Sequence, residues 1–92
     1  PVTVVGLDVT SRCVLPAARA AALRDAAGDT GRLLFDISRR YEALYREHDG
    51  LDGCCLHDVT AAVCLVEPSL FRFETGPIRV VTAGIAVGQT IQ

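Results

Sequence analysis

Residues Val2-Thr3-Val4-Val5-Gly6-Leu7 form an almost unbroken β-branched run with no polar alternation. A strand with one face in water alternates; one without alternation is buried on both faces, as in a parallel sheet. Such a strand needs a neighbour on each side, and no second run of this kind follows until the far end of the chain, where the pattern changes. The run therefore predicts a central strand of an α/β sheet whose partner strands lie upstream, outside these 92 residues.

Size and composition agree with a domain that leans on something else. A lone domain of 92 residues buries only about 60–65% of its unfolded surface, yet half of these residues are hydrophobic and the mean hydropathy is +0.33. Part of that apolar surface is expected to need a partner. The net charge is −2, and all nine basic residues are arginines, of which only Arg39 and Arg40 are adjacent. No basic stripe is available to neutralise a phosphate backbone, which argues against a nucleic-acid polymer as partner. The longest strictly apolar stretch, Ala61 to Val66, is far short of the roughly 18 residues of a membrane span, and no segment has the pattern of a secretory leader.

Four cysteines, Cys13, Cys54, Cys55 and Cys64, are too few for a disulfide scaffold. Cys54 and Cys55 are sequence neighbours, for which a mutual bridge is strained, so reduced and mostly buried thiols in a cytoplasmic protein are expected. Zinc is the sharper alternative at Cys54, Cys55, His57 and Asp58, but the spacing of structural zinc ligands is missing.

The polar turn Asp8-Val9-Thr10-Ser11 follows the strand. In open α/β sheets the carboxyl ends of strands face the ligand crevice, which would bring Asp8 and Thr10 near a site; the plainer reading is a capped turn. Pro16 opens an Ala-rich helix to about Ala27, and Gly28-Asp29-Thr30-Gly31 breaks it. A second helix is predicted from Arg32 to His48, with Leu34, Ile37, Tyr41, Leu44 and His48 spaced along one face. Tyr41, Tyr45 and His48 read there as packing residues. Asp49-Gly50-Leu51-Asp52-Gly53 is a turn cluster without the ligand spacing of an EF-hand.

The chemistry concentrates at Leu56-His57-Asp58-Val59. An acid/base that titrates near neutrality and a hard oxygen ligand stand together at the start of a helix that is apolar nearly all round, and so expected to be enclosed. Taken alone, residue chemistry favours the plainer reading, Asp58 as an N-cap and His57 as a neighbouring turn residue. Beyond the helix come Pro68, then Phe71 and Phe73, and strands over 78–82 and 85–90 joined through Ala83-Gly84, with Arg79 facing solvent.

The ordered set Gly-Leu-Asp-Val-Thr, His57-Asp58, the run Ala61 to Val66, Glu67-Pro68-Ser69-Leu70-Phe71 and the closing Gly88-Gln89-Thr90 resembles the nucleoside hydrolase family, the inosine-uridine preferring N-ribohydrolases, over essentially the whole chain. The resemblance implies that residues 1–92 form a single segment, the carboxy-terminal part of an open-sheet α/β domain, with a buried strand, three helices and a C-terminal β-hairpin. It implies calcium-assisted hydrolysis of ribonucleosides to ribose and free base, as in purine and pyrimidine salvage, in a cytoplasmic homo-oligomer. By motif, Asp58 would be a calcium ligand and His57 the general acid or base-contacting group. The family's amino-terminal cluster D-x-D-x-x-x-D-D has no counterpart, since the chain contains no Asp-x-Asp; the water-activating residue and most of the calcium shell would come from an upstream half, and the 92 residues alone would be inactive. The alternative is a non-catalytic α/β interaction module or a pseudoenzyme fragment that buries its apolar surface on a partner.

Overall fold

The computed structural model describes all of residues 1–92. Four helical segments and two small antiparallel sheets follow one another: α1 (Leu7–Thr10), β1 (Val14–Pro16), α2 (Ala17–Ala26), α3 (Gly28–Asp49), β2 (Gly53–Cys55), α4 (His57–Val66), a 3-10 turn at Pro68–Leu70, β3 (Arg79–Val80) and β4 (Thr90–Ile91). Residues 1–6 form no strand. A strand exists through its ladder, and nothing among these residues pairs with this one; Val2 and Val4 stand 89% and 59% exposed, so the buried strand of the sequence analysis is an extended, unpaired segment.

The ladder that does form joins distant parts of the chain. Val14, Leu15 and Pro16 pair with Cys55, Cys54 and Gly53, and the Leu56 amide extends the pairing by donating to the Cys13 carbonyl at 2.9 Å. Gly53 has φ +141°, and a Cβ there would fall onto the Leu15 carbonyl and within 3.0 Å of Pro16 Cα. Only glycine fits where the two backbones come this close.

Pro16 does not sit inside the first helix but ends β1 and caps α2, its φ of −63° serving both. The break after α2 is narrower than the four-residue turn predicted. Gly28, with φ +59°, redirects the chain by itself, and Asp29, Thr30 and Gly31 become the first turn of α3, where Asp29 meets the positive end of the helix dipole. A Cβ on Gly31 would stand 2.5 Å from the Leu23 carbonyl oxygen, so this glycine is what lets α3 close against α2. Arg24 of α2 lies over the Phe35 ring at 4.7 Å, and Arg39 covers the same ring at 3.6 Å. Helix α3 stops at Gly50 (φ 64°), whose amide and that of Leu51 donate back to the carbonyls of Arg46 and Tyr45, a left-handed glycine cap.

Where α3 meets β2 the contact is ionic as well as apolar. Glu42 is buried and pairs with Arg39 at 2.8 Å and Arg46 at 3.2 Å; Arg46 also reaches Asp52 in the following turn at 3.0 Å. Burial, with the nearby Glu42 carboxylate second, pushes the Cys54 thiol up, so Cys54 is a protonated packing group. All four cysteines are free thiols.

The interior is small. Nine residues of 92 are buried, the apolar ones being Ala20, Cys54, Cys55 and Cys64, and no large side chain is fully enclosed. The radius of gyration is 16.2 Å, against about 12 Å for a compact domain of this length. Helix α4 buries only Thr60 and Cys64; Leu65 and Val66 are more than 80% exposed, so the enclosure expected from its apolar sequence is not supplied by these 92 residues. The hairpin is also shorter than predicted: Arg79 pairs with Ile91 and Val80 with Thr90, while positive-φ glycines at 84 and 88 carry the chain between them through a wide turn. Arg79 is exposed, as expected.

One substitution tests the ladder. Gly53→Ala in the full-length protein should lower unfolding free energy by about 1–3 kcal/mol or more, read as a fall in denaturant midpoint; an unchanged midpoint would mean that β1 and β2 are not held this closely.

Candidate functional site

His57 is the first residue of α4, with Leu56 at the cap position and no side chain capping the helix. The N-cap reading of Asp58 therefore does not hold: Asp58 lies within the first turn, where a carboxylate complements the exposed amides without bonding them. It makes no hydrogen bond or ion pair and is exposed.

The His57 ring, by contrast, is held at both nitrogens. Nδ1 lies 2.7 Å from Thr10 Oγ1, 47 residues earlier, and Nε2 lies 2.8 Å from the Tyr45 hydroxyl. Tyr45 is linked in turn to the Tyr41 hydroxyl at 3.2 Å, with the two rings edge to face, 5.0 Å apart. The Tyr41 hydrogen bond foremost, then burial and the Cys55 thiol, hold the Tyr45 phenol above its usual range; it is neutral at physiological pH and works as a hydroxyl, not as an anion.

Three separate elements place the members of this chain. Thr10 ends α1 and is 2% exposed; the β1–β2 ladder brings that end beside the start of α4. Tyr41 and Tyr45 are four apart on α3, hence on one face. A groove of about 830 Å³ runs from His57, Asp58 and Tyr41 along α3, walled by apolar side chains such as Leu34, Phe35 and Ile37. Mostly apolar walls with a few convergent polar groups are the usual make-up of a small-molecule site.

The structure brings His57, Asp58 and Tyr41 to one groove, with Thr10 and Tyr45 behind it as the hydrogen-bond partners of the His57 ring. Thr10 lay within the crevice-facing turn of the sequence analysis, but Asp8 beside it is exposed and has no polar partner. The spacing predicts Tyr41 and Tyr45 as packing residues on one helix face, and nothing in it shows that Tyr45 reaches a histidine 12 residues further on. His48, on the same predicted face, is exposed and takes no part. No three His, Cys, Asp or Glu side chains converge, so Cys54, Cys55, His57 and Asp58 form no zinc site. Asp58 alone is a fitting single oxygen donor for a hard cation, which takes six to eight such ligands.

Residues 1–92 match throughout the sequence profile of the family described as inosine-uridine preferring nucleoside hydrolase. Uridine nucleosidase 1 of Arabidopsis thaliana is 34% identical over 90 residues, 98% of this chain and 27% of that protein. The inosine-uridine preferring nucleoside hydrolase of Crithidia fasciculata is 23% identical over 91 residues, 98% of this chain and 29% of that protein. A solved plant nucleoside hydrolase superposes with a TM-score of 0.89 at 31% identity, over 94% of this chain and 27% of that one. The chain thus spans between a quarter and a third of the length of these relatives, and its mixed helices and small sheets reproduce part of their α/β domain. The chain belongs to the inosine-uridine preferring nucleoside hydrolase family.

Proposed function

We propose that the protein carrying this segment hydrolyses the N-glycosidic bond of ribonucleosides to ribose and free base, with calcium assistance, and that these 92 residues supply one part of the site. The observation that carries the proposal is the imidazole of His57, fixed at both nitrogens, next to an unpaired carboxylate on the same groove. Family membership and the uridine nucleosidase names of its relatives support the same reaction.

Cleavage of this bond builds positive charge on the sugar ring and negative charge on the departing base. Successive side chains on a helix diverge by about 100°, so His57 and Asp58 can address different ends of one ligand. His57 would act through Tyr45 and Tyr41, presenting a hydrogen-bond donor at the groove to the base as it gains electrons. Donors fixed before the reaction stabilise such charge without reorganising. Asp58 would hold one coordination position of a calcium ion; bound there, the ion would polarise oxygen ligands. Asp58 provides one ligand of the six to eight calcium requires, so the remainder of the shell belongs to parts of the protein beyond these residues, with which the exposed faces of α4 would also pack. We extend the proposal to a cytoplasmic homo-oligomer.

In the full-length protein, with inosine and uridine as substrates, His57→Ala should lower kcat by roughly 10²–10⁴. Asp58→Asn should abolish turnover together with calcium affinity measured by calorimetry. Full turnover in both variants would overturn the proposal. Tyr45→Phe, which keeps the ring and removes only the hydroxyl, should cost roughly tenfold in kcat and leave the thermal midpoint within about 2 °C. Purified residues 1–92 should turn over neither nucleoside, and activity in that fragment would show that no other part of the site is required.

A second reading rests on the many exposed large apolar side chains: a non-catalytic module or pseudoenzyme segment that serves assembly. It expects no nucleoside turnover from the full-length protein, and none of the substitutions at His57 or Asp58 to alter its association.

A further inference from the structure

The hydrogen-bonded chain through His57 permits only certain placements of its hydrogens. A neutral imidazole has one N–H and one bare nitrogen, and hydroxyls on either side accept either arrangement in principle. Burial breaks the tie. Thr10 is 2% exposed, and His57 Nδ1 is the hydrogen-bond partner of its hydroxyl. A buried hydroxyl hydrogen left without an acceptor bears the full desolvation penalty of its group. If Nδ1 carried the ring proton and donated to Thr10 Oγ1, the threonine hydrogen would be stranded. If Thr10 donates to Nδ1, every group is satisfied: the ring proton sits on Nε2 and is donated to the Tyr45 oxygen, and Tyr45 donates to the Tyr41 oxygen. Tyr41, which lines the groove, then keeps its own O–H for whatever occupies it.

We infer that Thr10 is a positioning residue: its buried hydroxyl fixes His57 as the Nε2–H tautomer, so that the ring donates to Tyr45 and leaves the Tyr45 O–H to donate on to Tyr41, which ends the chain as an O–H donor at the groove. The ligand group that this end fits is a hydrogen-bond acceptor. No net proton moves; the chain is a set of aligned dipoles, each sharpening the next. A tautomer set by a hydrogen bond on the far nitrogen is the usual way a histidine is given one role.

The test is made on the full-length protein labelled with ¹⁵N-histidine, the His57 signals being assigned by their loss in His57→Gln. Wild-type His57 should show a bare Nδ1 and a protonated Nε2. Thr10→Val, nearly isosteric but without a donor, should move both signals toward an average of the two tautomers and lower kcat for nucleoside roughly tenfold, one hydrogen bond's worth, with KM little changed; Thr10→Ser should restore both. A protonated Nδ1 in the wild type overturns the inference, as does a Thr10→Val protein with unaltered signals and kcat. The wild-type spectrum decides even if Thr10→Val does not fold. The kinetic part rests on the hydrolase proposal and the spectrum does not, so a protein without nucleoside turnover but with the Nε2–H pattern would sink that proposal and support this one.

Discussion

Three residue pairs between Val14–Pro16 and Gly53–Cys55, lengthened by the Leu56 to Cys13 hydrogen bond, are the constraint on which the site depends. Without this short ladder nothing would bring Thr10 beside His57 across 47 positions of sequence. A ladder so short is marginal in isolation. It is reinforced from one side by the ion pairs of Glu42, Arg39, Arg46 and Asp52, which tie α3 to the turn before β2, and it demands a glycine where Leu15 crosses Gly53. The polar network is therefore assembled by backbone pairing and electrostatics more than by a large apolar core.

What the sequence made legible divides along a physical line. Local signals were readable: the apolar spacing that gives α3, the proline at the entry to α2, the turn at Gly50, and the meeting of imidazole and carboxylate at the start of α4, because each depends on residues within a few positions of one another. Signals that need a partner are legible as signals but stay incomplete within these residues. Val2 to Leu7 has the composition of a central strand, but composition does not supply neighbours, and the segment stays unpaired. The apolar sequence of α4 likewise announces enclosure that these residues do not provide.

The family resemblance, carried by residues such as Gly6 to Thr10 and His57-Asp58, was visible in the sequence and agrees with the profile match over the whole chain. Thr10 and the tyrosine pair were harder to see for a different reason. A threonine in a turn and two tyrosines on an amphipathic helix are ordinary, and only the distances of 2.7 Å and 2.8 Å to the two ring nitrogens distinguish them. Tertiary geometry, not residue type, gives them their place in the network.

Helix α3 runs unbroken for 22 residues from Gly28 to Asp49, and Tyr41, Glu42, Tyr45 and Arg46 all ride on its carboxy-terminal half. At 1.5 Å per residue, Gly28 and Tyr45 are about 25 Å apart along one stiff rod. The α2–α3 elbow thus acts as the pivot of a lever arm. A side chain at Gly31 would crowd the Leu23 carbonyl, and because α3 is one continuous helix, a change of angle there would be carried to the phenols and the ionic clasp together.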